Sequence, residues 1–451
     1  MATLWFEHAL LPTGWAERVR LTIDADGVIT TVQPDVDPRP ADARHACAVP
    51  GLANLHSHAF QRAMAGLTET RGPAADDFWT WRAWMYRFLD RLTPDDVRVI
   101  AAQAYAEMLE SGFTRVGEFH YLHHAPDGAA YAARAEMAAA IAAAAEETGA
   151  ALTLLPVFYA HATFGGAPPL PGQRRFVCDV DGFGRLLEAS AAIAGRLPDG
   201  RIGVAPHSLR AVTPDELAAV TAMTGGPVHI HAAEQVKEVD DCVAWSGRRP
   251  VEWLLDRGLD ARWCLIHATH LTADETAGLA RAGAVAGLCP ITEANLGDGV
   301  FPAADYLASG GAFGVGTDSN VVIDAAEELR ALEYAQRLTR RARNVLADRE
   351  GASTGAVLFA RALAGGAQAL ADPAAAIQPG RPADIVALDL DHPSLVGRRG
   401  DAILDAWIFG AGARAVAAVW RRGRQVVADG RHVRRREIAA PYRAVLRKLL
   451  A

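Results

Sequence analysis

Pro50-Gly51-Leu52-Ala53-Asn54-Leu55-His56-Ser57-His58 ends an apolar, strand-like run with two imidazoles two residues apart. Residues i and i+2 of a strand share a face, so both rings can reach one point at the strand's end. Imidazole is a common ligand for zinc and similar ions, and such a pair is half of a metal site if matching ligands recur downstream. Otherwise it is a coincidental pair of loop histidines. Working outward, the run is the first of eight β-branched or apolar segments, at 49–55, 114–119, 151–158, 201–205, 227–231, 263–267, 284–288 and 311–316. They alternate with Ala-rich helical stretches, the pattern of repeated βα units. Eight such units predict a (β/α)8 TIM barrel, whose active site lies at the C-terminal ends of the strands.

Helix starts support that reading. Thr93-Pro94-Asp95-Asp96 offers a cap, a proline at the first helical position and early acids ahead of a helix that stops near Gly112. Thr213-Pro214-Asp215-Glu216 and Thr272-Ala273-Asp274-Glu275 place Glu three residues after Thr, as in a capping box. Residues 1–48 and 376–451 differ from the barrel at 49–375: they hold short alternating runs such as Val28-Ile29-Thr30-Thr31-Val32 and Val416-Ala417-Ala418-Val419. Neither half has enough strands to be stable alone, so both termini are expected to pair into one small β-sandwich domain beside the barrel.

The 451 residues, 51% hydrophobic and 22% charged, describe an ordinary soluble enzyme, and no apolar run approaches the ~20 residues that span a bilayer. The first eight residues lack a basic stretch followed by a long apolar one, so a cytoplasmic location is expected. Five scattered cysteines with no CxxC pair argue against both a disulfide framework and a thiolate zinc knot. A net charge of −8, with the arginines of 337–343 and 431–436 reading as solvated surface, gives no footprint for nucleic acid.

Matching metal ligands do recur at strand ends. Pro227-Val228-His229-Ile230-His231 is followed three residues later by Glu234; His231 is the ligand candidate, while His229, one pleat repeat deeper, reads as a core histidine. Glu234 is placed to reach a water on the metal and a substrate nitrogen together, or else is a first-turn helix acid. His267 lies within its strand run, whereas His270 falls beside the Thr272 cap. Asp318 follows the Gly-rich run Gly314-Val315-Gly316-Thr317, where a carboxylate needs a partner or a cation to offset its desolvation, unless it caps the next helix. His56, His58, His231 and Asp318 make three nitrogens and one oxygen, a set that suits Zn²⁺ with an open position, with Fe²⁺ or Mn²⁺ as the alternative.

The motifs PGLANLHSH, HIHAAE, LIHATH and GVGTDSN, in that order on the first, fifth, sixth and eighth strands, resemble the amidohydrolase superfamily and, within it, the mononuclear-metal deaminases. The resemblance spans nearly the whole chain and includes GRPADIVALD and VAAVWRRGRQVVADG in the terminal β domain. Binuclear members use a carboxylated lysine on the fourth strand; residues 203–210 read GVAPHSLR with no lysine, which implies one metal per subunit. More narrowly, HSHAFQRAMAGLTE, WTWR, GEFHYLHH and APHSLRAV are similar to the N-formimino-L-glutamate deiminases of histidine degradation, which release ammonia and leave N-formyl-L-glutamate. That resemblance implies His56, His58, His231 and Asp318 as zinc ligands, Glu234 and His267 as catalytic groups, and a homodimer. It further implies Gln61, Arg82, Tyr121, His207 and Arg210 as substrate contacts.

The chemistry of those residues agrees. Asp318 can accept the first proton, Glu234 can carry protons to the leaving nitrogen, and His267 can stabilise the tetrahedral centre. The substrate expected is a small dicarboxylate amidine. Arg210 offers a planar fork that matches a carboxylate, and is otherwise a surface arginine before the Thr213 cap. Tyr121 and Gln61 follow the second and first strands as neutral donors, and Arg82, in the Trp-rich loop 78–84, is a second clamp or part of lid packing. The competing readings are a deaminase of the same fold acting on guanine, cytosine or an adenosine-type substrate, and a metal-binding barrel without catalysis.

Overall fold

In the computed structural model, which describes residues 2–73, 76–372 and 376–451, four strands come first: β1 (Ala2–Leu11), β2 (Gly14–Ile23), β3 (Ile29–Gln33) and β4 (Ala43–Pro50). The barrel strands follow: β5 (Leu52–Ser57), β6 (Phe113–His120), β7 (Ala151–Phe158), β8 (Arg201–Ile202), β9 (Ala205–Pro206), β10 (Val228–Ala232), β11 (Trp263–His267), β12 (Val285–Leu288) and β13 (Ala312–Val315). The chain then adds β14 (Ile385–Leu388), β15 (Val416–Arg421), β16 (Arg424–Ala428) and β17 (Arg431–His432).

The barrel strands form two parallel arcs, β5-β6-β7-β8 with β9 on β7, and β10-β11-β12-β13. Two seams join the arcs into a ring of eight, with β8 and β9 as one interrupted fourth strand. At one seam Val204 bridges Val228, and His229 N–H donates to the Val204 carbonyl at 3.0 Å. At the other Ser57 bridges Asp318: Asp318 N–H donates to His56 and His58 N–H to Asp318, both at 2.9 Å. Gly316 makes this second seam possible, since a Cβ there would lie 2.7 Å from the His56 carbonyl oxygen. Every residue of β5, β6 and β7 is buried, as expected for parallel strands covered by helices on one side and core on the other. Thr93, Thr213 and Thr272 cap helices Pro94–Ser111, Pro214–Thr221 and Ala273–Ala282, each accepting from the backbone N–H three residues on.

The terminal strands form one hydrogen-bonded sheet in the order β17-β16-β15-β14-β4-β1-β2-β3, with β14 antiparallel to β4 across the two termini. This sheet curls into a sandwich-like unit: Ile29 at its far edge exchanges backbone hydrogen bonds of 2.8 Å with Gly380 and Arg381, just before β14. Phe6 and Trp420 meet edge-on at 6.2 Å within a separate core that includes Leu4, Val19, Leu21 and Ile385.

Three local expectations need correction. The run 49–55 is not one strand: Val49 and Pro50 end β4 in the terminal sheet, and the barrel begins after Gly51, where a Cβ would meet Thr114 at 2.2 Å. The Trp-rich segment is not a loop but the helix Phe78–Leu89, started by Asp77, which accepts from the N–H groups of Trp79 and Thr80. The C-terminal region is not all strand, because Arg435–Leu450 is a helix that returns to the barrel. Its Arg435 pairs with Glu110 at 2.9 Å and its Lys448 with Asp96 at 2.9 Å, both on helix Pro94–Ser111.

Candidate active site

Three strand ends and one seam bring His56, His58, His231 and Asp318 together, so that one ligand atom from each lies within 4.8 Å of the others. His56 Nε2 and His58 Nε2 are each 3.3 Å from Asp318 Oδ1, and His231 Nε2 is 3.2 Å from His56 Nε2. The rings are aimed from behind. His58 Nδ1 donates to the Phe119 carbonyl and His231 Nδ1 to the His207 carbonyl, each at 2.9 Å, which leaves both Nε2 lone pairs facing the cluster. Burial pushes the imidazoles down, His56 to about 3, so they stay neutral. Burial alone would raise the Asp318 carboxyl, but its hydrogen bond to His56 and the proximity of His56, His58 and the protonated His267 hold it below the usual carboxylate range.

Converging lone pairs and one carboxylate in a dry site call for a cation. The separations agree with one: tetrahedral bonds of about 2.0–2.1 Å put neighbouring ligand atoms about 3.3–3.4 Å apart. A second trio within 4.8 Å, His267, Cys289 and Asp318, shares Asp318 with the first, but burial pushes the Cys289 thiol far up and keeps it protonated.

Backbone strain accumulates here. Asp318 (φ 44°), Asn320 (φ 55°) and His267 (φ 67°) all sit in the left-handed region. A polar seam holds them: Asn320 Nδ2 donates to Ser57 Oγ (3.2 Å), the His58 carbonyl (3.1 Å) and the Asp318 carbonyl (3.0 Å). Thr317 Oγ1 donates to Asn320 Oδ1 and accepts from Asn54 Nδ2, both at 2.6 Å.

Glu234 follows β10 and His267 ends β11; His267 Nε2 is 3.7 Å from Glu234 Oε1 and 3.9 Å from Asp318 Oδ2. Burial raises the Glu234 carboxyl to about 7, against the opposing pull of His267 and Arg210. Burial would lower His267, but the carboxylates of Glu234, Glu293 and Asp318 push it up. Glu293 takes His267 Nδ1–H at 3.2 Å and the Cys289 N–H at 2.9 Å on one oxygen, fixing the ring with Nε2 toward Glu234.

Above this floor lies a pocket of about 550 Å³, mouth included, whose wall carries Gln61, Arg82, Tyr121, His207, Arg210 and Glu234. His58, His231, His267 and Asp318 also reach it, while His56 stays beneath the surface. Gln61 Nε2 donates to the Tyr121 hydroxyl at 3.0 Å, and that hydroxyl donates to Met85 Sδ at 3.1 Å. Two buried atoms of the residues lining this pocket have no hydrogen-bond partner among the described residues: Gln61 Oε1 and Arg210 Nε. Arg210 Nη2 is 4.0 Å from Glu234 Oε2, and the Arg82 guanidinium stacks 4.4 Å from the Trp79 ring centroid. His207 Nδ1 meets Ser208 Oγ at 3.1 Å, and burial keeps its ring neutral.

His229 is turned away, with Nε2 on the Ala369 carbonyl at 2.8 Å, and His270 N–H serves the Ala233 carbonyl at 3.0 Å. Sequence reasoning missed Glu293, which lies in the first turn of helix Pro290–Leu296, five residues beyond the end of β12, although an acid just past a barrel strand's C-terminal end was a readable signal. It also missed Met85, Tyr86, Tyr159, Phe176 and Leu296, which line the same pocket. Among the described residues no helix is long and apolar enough to cross a membrane.

Residues 47–426 match the amidohydrolase family, and residues 1–46 match the N-terminal domain of formimidoylglutamate deiminase HutF. Formimidoylglutamate deiminase of Pseudomonas aeruginosa is 51% identical over 456 residues, 100% of both chains. The 8-oxoguanine deaminase of the same species is 30% identical over 398 residues, 84% of this chain and 83% of its own length. The crystal structure of an amidohydrolase from Brucella melitensis matches with a TM-score of 0.96 at 54% identity, covering 100% of each. An adenosine deaminase from Xanthomonas campestris with bound zinc shares the fold, at a TM-score of 0.81 and 23% identity over 99% of this chain and 98% of that one. The full-length match to the family and the strength of these likenesses lead to one conclusion: the chain belongs to the amidohydrolase family.

Proposed function

We propose that this enzyme hydrolyses N-formimino-L-glutamate to N-formyl-L-glutamate and ammonia, as a step of histidine degradation. The identity to the Pseudomonas aeruginosa deiminase over the full chain supports the reaction. One structural observation carries the substrate class: two guanidinium groups, Arg82 and Arg210, stand on the wall above the His/Asp cluster. A purine brings no carboxylate to either cation, whereas a glutamyl group brings two.

His56, His58, His231 and Asp318 would hold the metal, which we take to be one Zn²⁺ per subunit, with Fe²⁺ or Mn²⁺ as alternatives. When bound, the ion lowers the pKa of water toward ~7 and so supplies a nucleophile at neutral pH.

The chain's own groups move the protons. Glu234, poised at about 7, is a stronger base than Asp318, whose carboxyl is held below the usual range, so Glu234 rather than the expected Asp318 takes the first proton of the attacking water and delivers it to the imino nitrogen as the new C–O bond forms. His267, held protonated by its three carboxylate neighbours, donates from Nε2 to the oxygen on the tetrahedral carbon. Asp318 accepts the remaining hydroxyl proton and passes it to Glu234, which delivers it to the same nitrogen, so that both carboxylates end ionised as they began. The C–N bond breaks, the formyl C=O forms, and both hydrogens of the water leave on ammonia.

The binding groups fit the rest of the molecule. Gln61 Oε1, buried and without a partner among the described residues, accepts a substrate N–H. Arg210 forks one carboxylate, and Arg82 with the Tyr121 hydroxyl takes the other. His207 stays neutral beside Arg210 and lines the path between them. The same reading carries a cytoplasmic homodimer, which light scattering in solution checks. The test of function is direct: incubate metal-loaded protein with N-formimino-L-glutamate and with guanine, and measure ammonia. Release from the formimino compound is expected; release from guanine alone would overturn the assignment.

A further inference from the structure

The indole of Trp79 is a meeting point for three cations from three elements. Arg82 Cζ, one turn along the same helix, lies 4.4 Å from its ring centroid; Arg210 Cζ, beyond β9, lies at 5.6 Å; Lys237 Nζ, on helix Val236–Ser246, lies at 5.9 Å. Phe78 adds a second ring 6.0 Å from Arg210. Lys237 is otherwise committed to Asp241 at 2.7 Å, one turn along its helix on the exposed rim. Arg82 and Arg210 are the two that line the pocket.

Two like charges on one wall repel, and Glu234 at 4.0 Å faces only Arg210. The negative face of an indole offsets that repulsion for both at once. Because the ring is rigid and has only two side-chain torsions, it also fixes where each guanidinium stands. Arg82 belongs to helix Phe78–Leu89 and Arg210 to the barrel rim, so their separation is set by whatever joins these elements. Trp79 is in contact with both.

We propose that Trp79 is the positioning residue that sets the spacing of the Arg82 and Arg210 guanidinium groups, and thereby selects substrates carrying two carboxylates. The inference rests on the deiminase reading for the substrate's identity. It does not rest on that reading for the class of ligand, since two spaced guanidinium groups match any short dicarboxylate. A substrate that engages both cations gains from their fixed separation, and this gain appears in binding rather than in the proton transfers below.

The test uses full-length, metal-loaded enzyme with Trp79→Leu, which keeps apolar bulk without the π face, and Trp79→Phe, which restores a ring. Steady-state kinetics on N-formimino-L-glutamate are paired with calorimetric binding of glutarate, a dicarboxylate that cannot be turned over. Trp79→Leu should raise both KM and the glutarate Kd about tenfold, the loss of two cation–π contacts, with kcat within about twofold of wild type. Trp79→Phe should recover most of that loss. Unchanged glutarate affinity in Trp79→Leu would overturn the inference, as would a fall in kcat at constant KM or a Trp79→Phe variant no better than Trp79→Leu. If the wild type binds glutarate but releases no ammonia, the deiminase reading fails while the Trp79 inference is still decided by the glutarate comparison. If the wild type does not bind glutarate, the inference fails.

Discussion

Replacing Arg210 separates binding from chemistry at this site. The residue is 6% exposed, its Nε has no hydrogen-bond partner among the described residues, and Glu234 Oε2 lies 4.0 Å from Nη2. Its desolvation is therefore already spent in the free enzyme, and an incoming carboxylate meets a fork ready to donate. Hydrogen bonds to charged groups contribute about 1.5–3 kcal/mol each; taking about 3 kcal/mol for the pair, Arg210→Ala should lower kcat/KM roughly 150-fold, almost all of it in KM. A second effect has a definite sign. The Arg210 charge opposes burial in setting the Glu234 carboxyl, so its loss moves that carboxyl above about 7. Glu234 must be ionised to take the first proton, hence the acid limb of the pH–rate profile shifts to higher pH. Arg210→Lys keeps the charge and loses the fork, so it should leave that limb in place while raising KM about tenfold. The assay is kcat and KM against pH for both variants, with metal content measured by atomic emission. Metal loss in Arg210→Ala, or an unchanged KM, would refute the role assigned to the fork.

Three further outcomes follow from the geometry. Glu293→Leu removes the acceptor for His267 Nδ1–H, and kcat should fall about 10–100-fold with KM little changed; a KM-dominated loss would place Glu293 in the binding wall instead. Burial raises the Glu118 carboxyl to about 8, where it accepts from Ala59 N–H at 2.8 Å and the Tyr105 hydroxyl at 3.1 Å. The unfolded chain has released that proton by about pH 4.5 while the folded one keeps it, so this contribution is complete below 4.5, declines with rising pH and is gone above about 8. Thermal melts of wild type and Glu118→Gln should accordingly show a weaker decline for the variant between pH 5 and 8, and identical slopes would remove Glu118 from the account. Finally, stripping the metal with a chelator leaves Asp318 buried without a cation, so Tm should fall and return on adding Zn²⁺; at about 100 times Kd the restored stability is about 2.7 kcal/mol. A Tm indifferent to chelator and metal would mean the four residues hold no ion.

What the sequence discloses and what it hides divide along a physical line. His56, His58 and His231 are readable because a strand's two-residue period aims their side chains before any tertiary contact forms, and a barrel collects strand ends at one rim. The Thr93, Thr213 and Thr272 caps are readable for the same reason, being bonds within four residues. The break at Gly51 is not, because its cause is the close passage of Thr114, a contact between distant segments. Helix Phe78–Leu89 lies between these cases. Asp77 and Thr80 form a capping box that could have been read, but the helix's seat on the barrel depends on Met85 meeting the Tyr121 hydroxyl, 36 residues away. Only with that helix in place do Trp79 and Arg82 stack one turn apart, and only with it seated does Trp79 reach Arg210. The chemistry of this site is therefore encoded locally, at strand ends, whereas its selectivity is encoded in how a helix docks. Substitutions on that helix should change which substrates bind while sparing the groups that move protons.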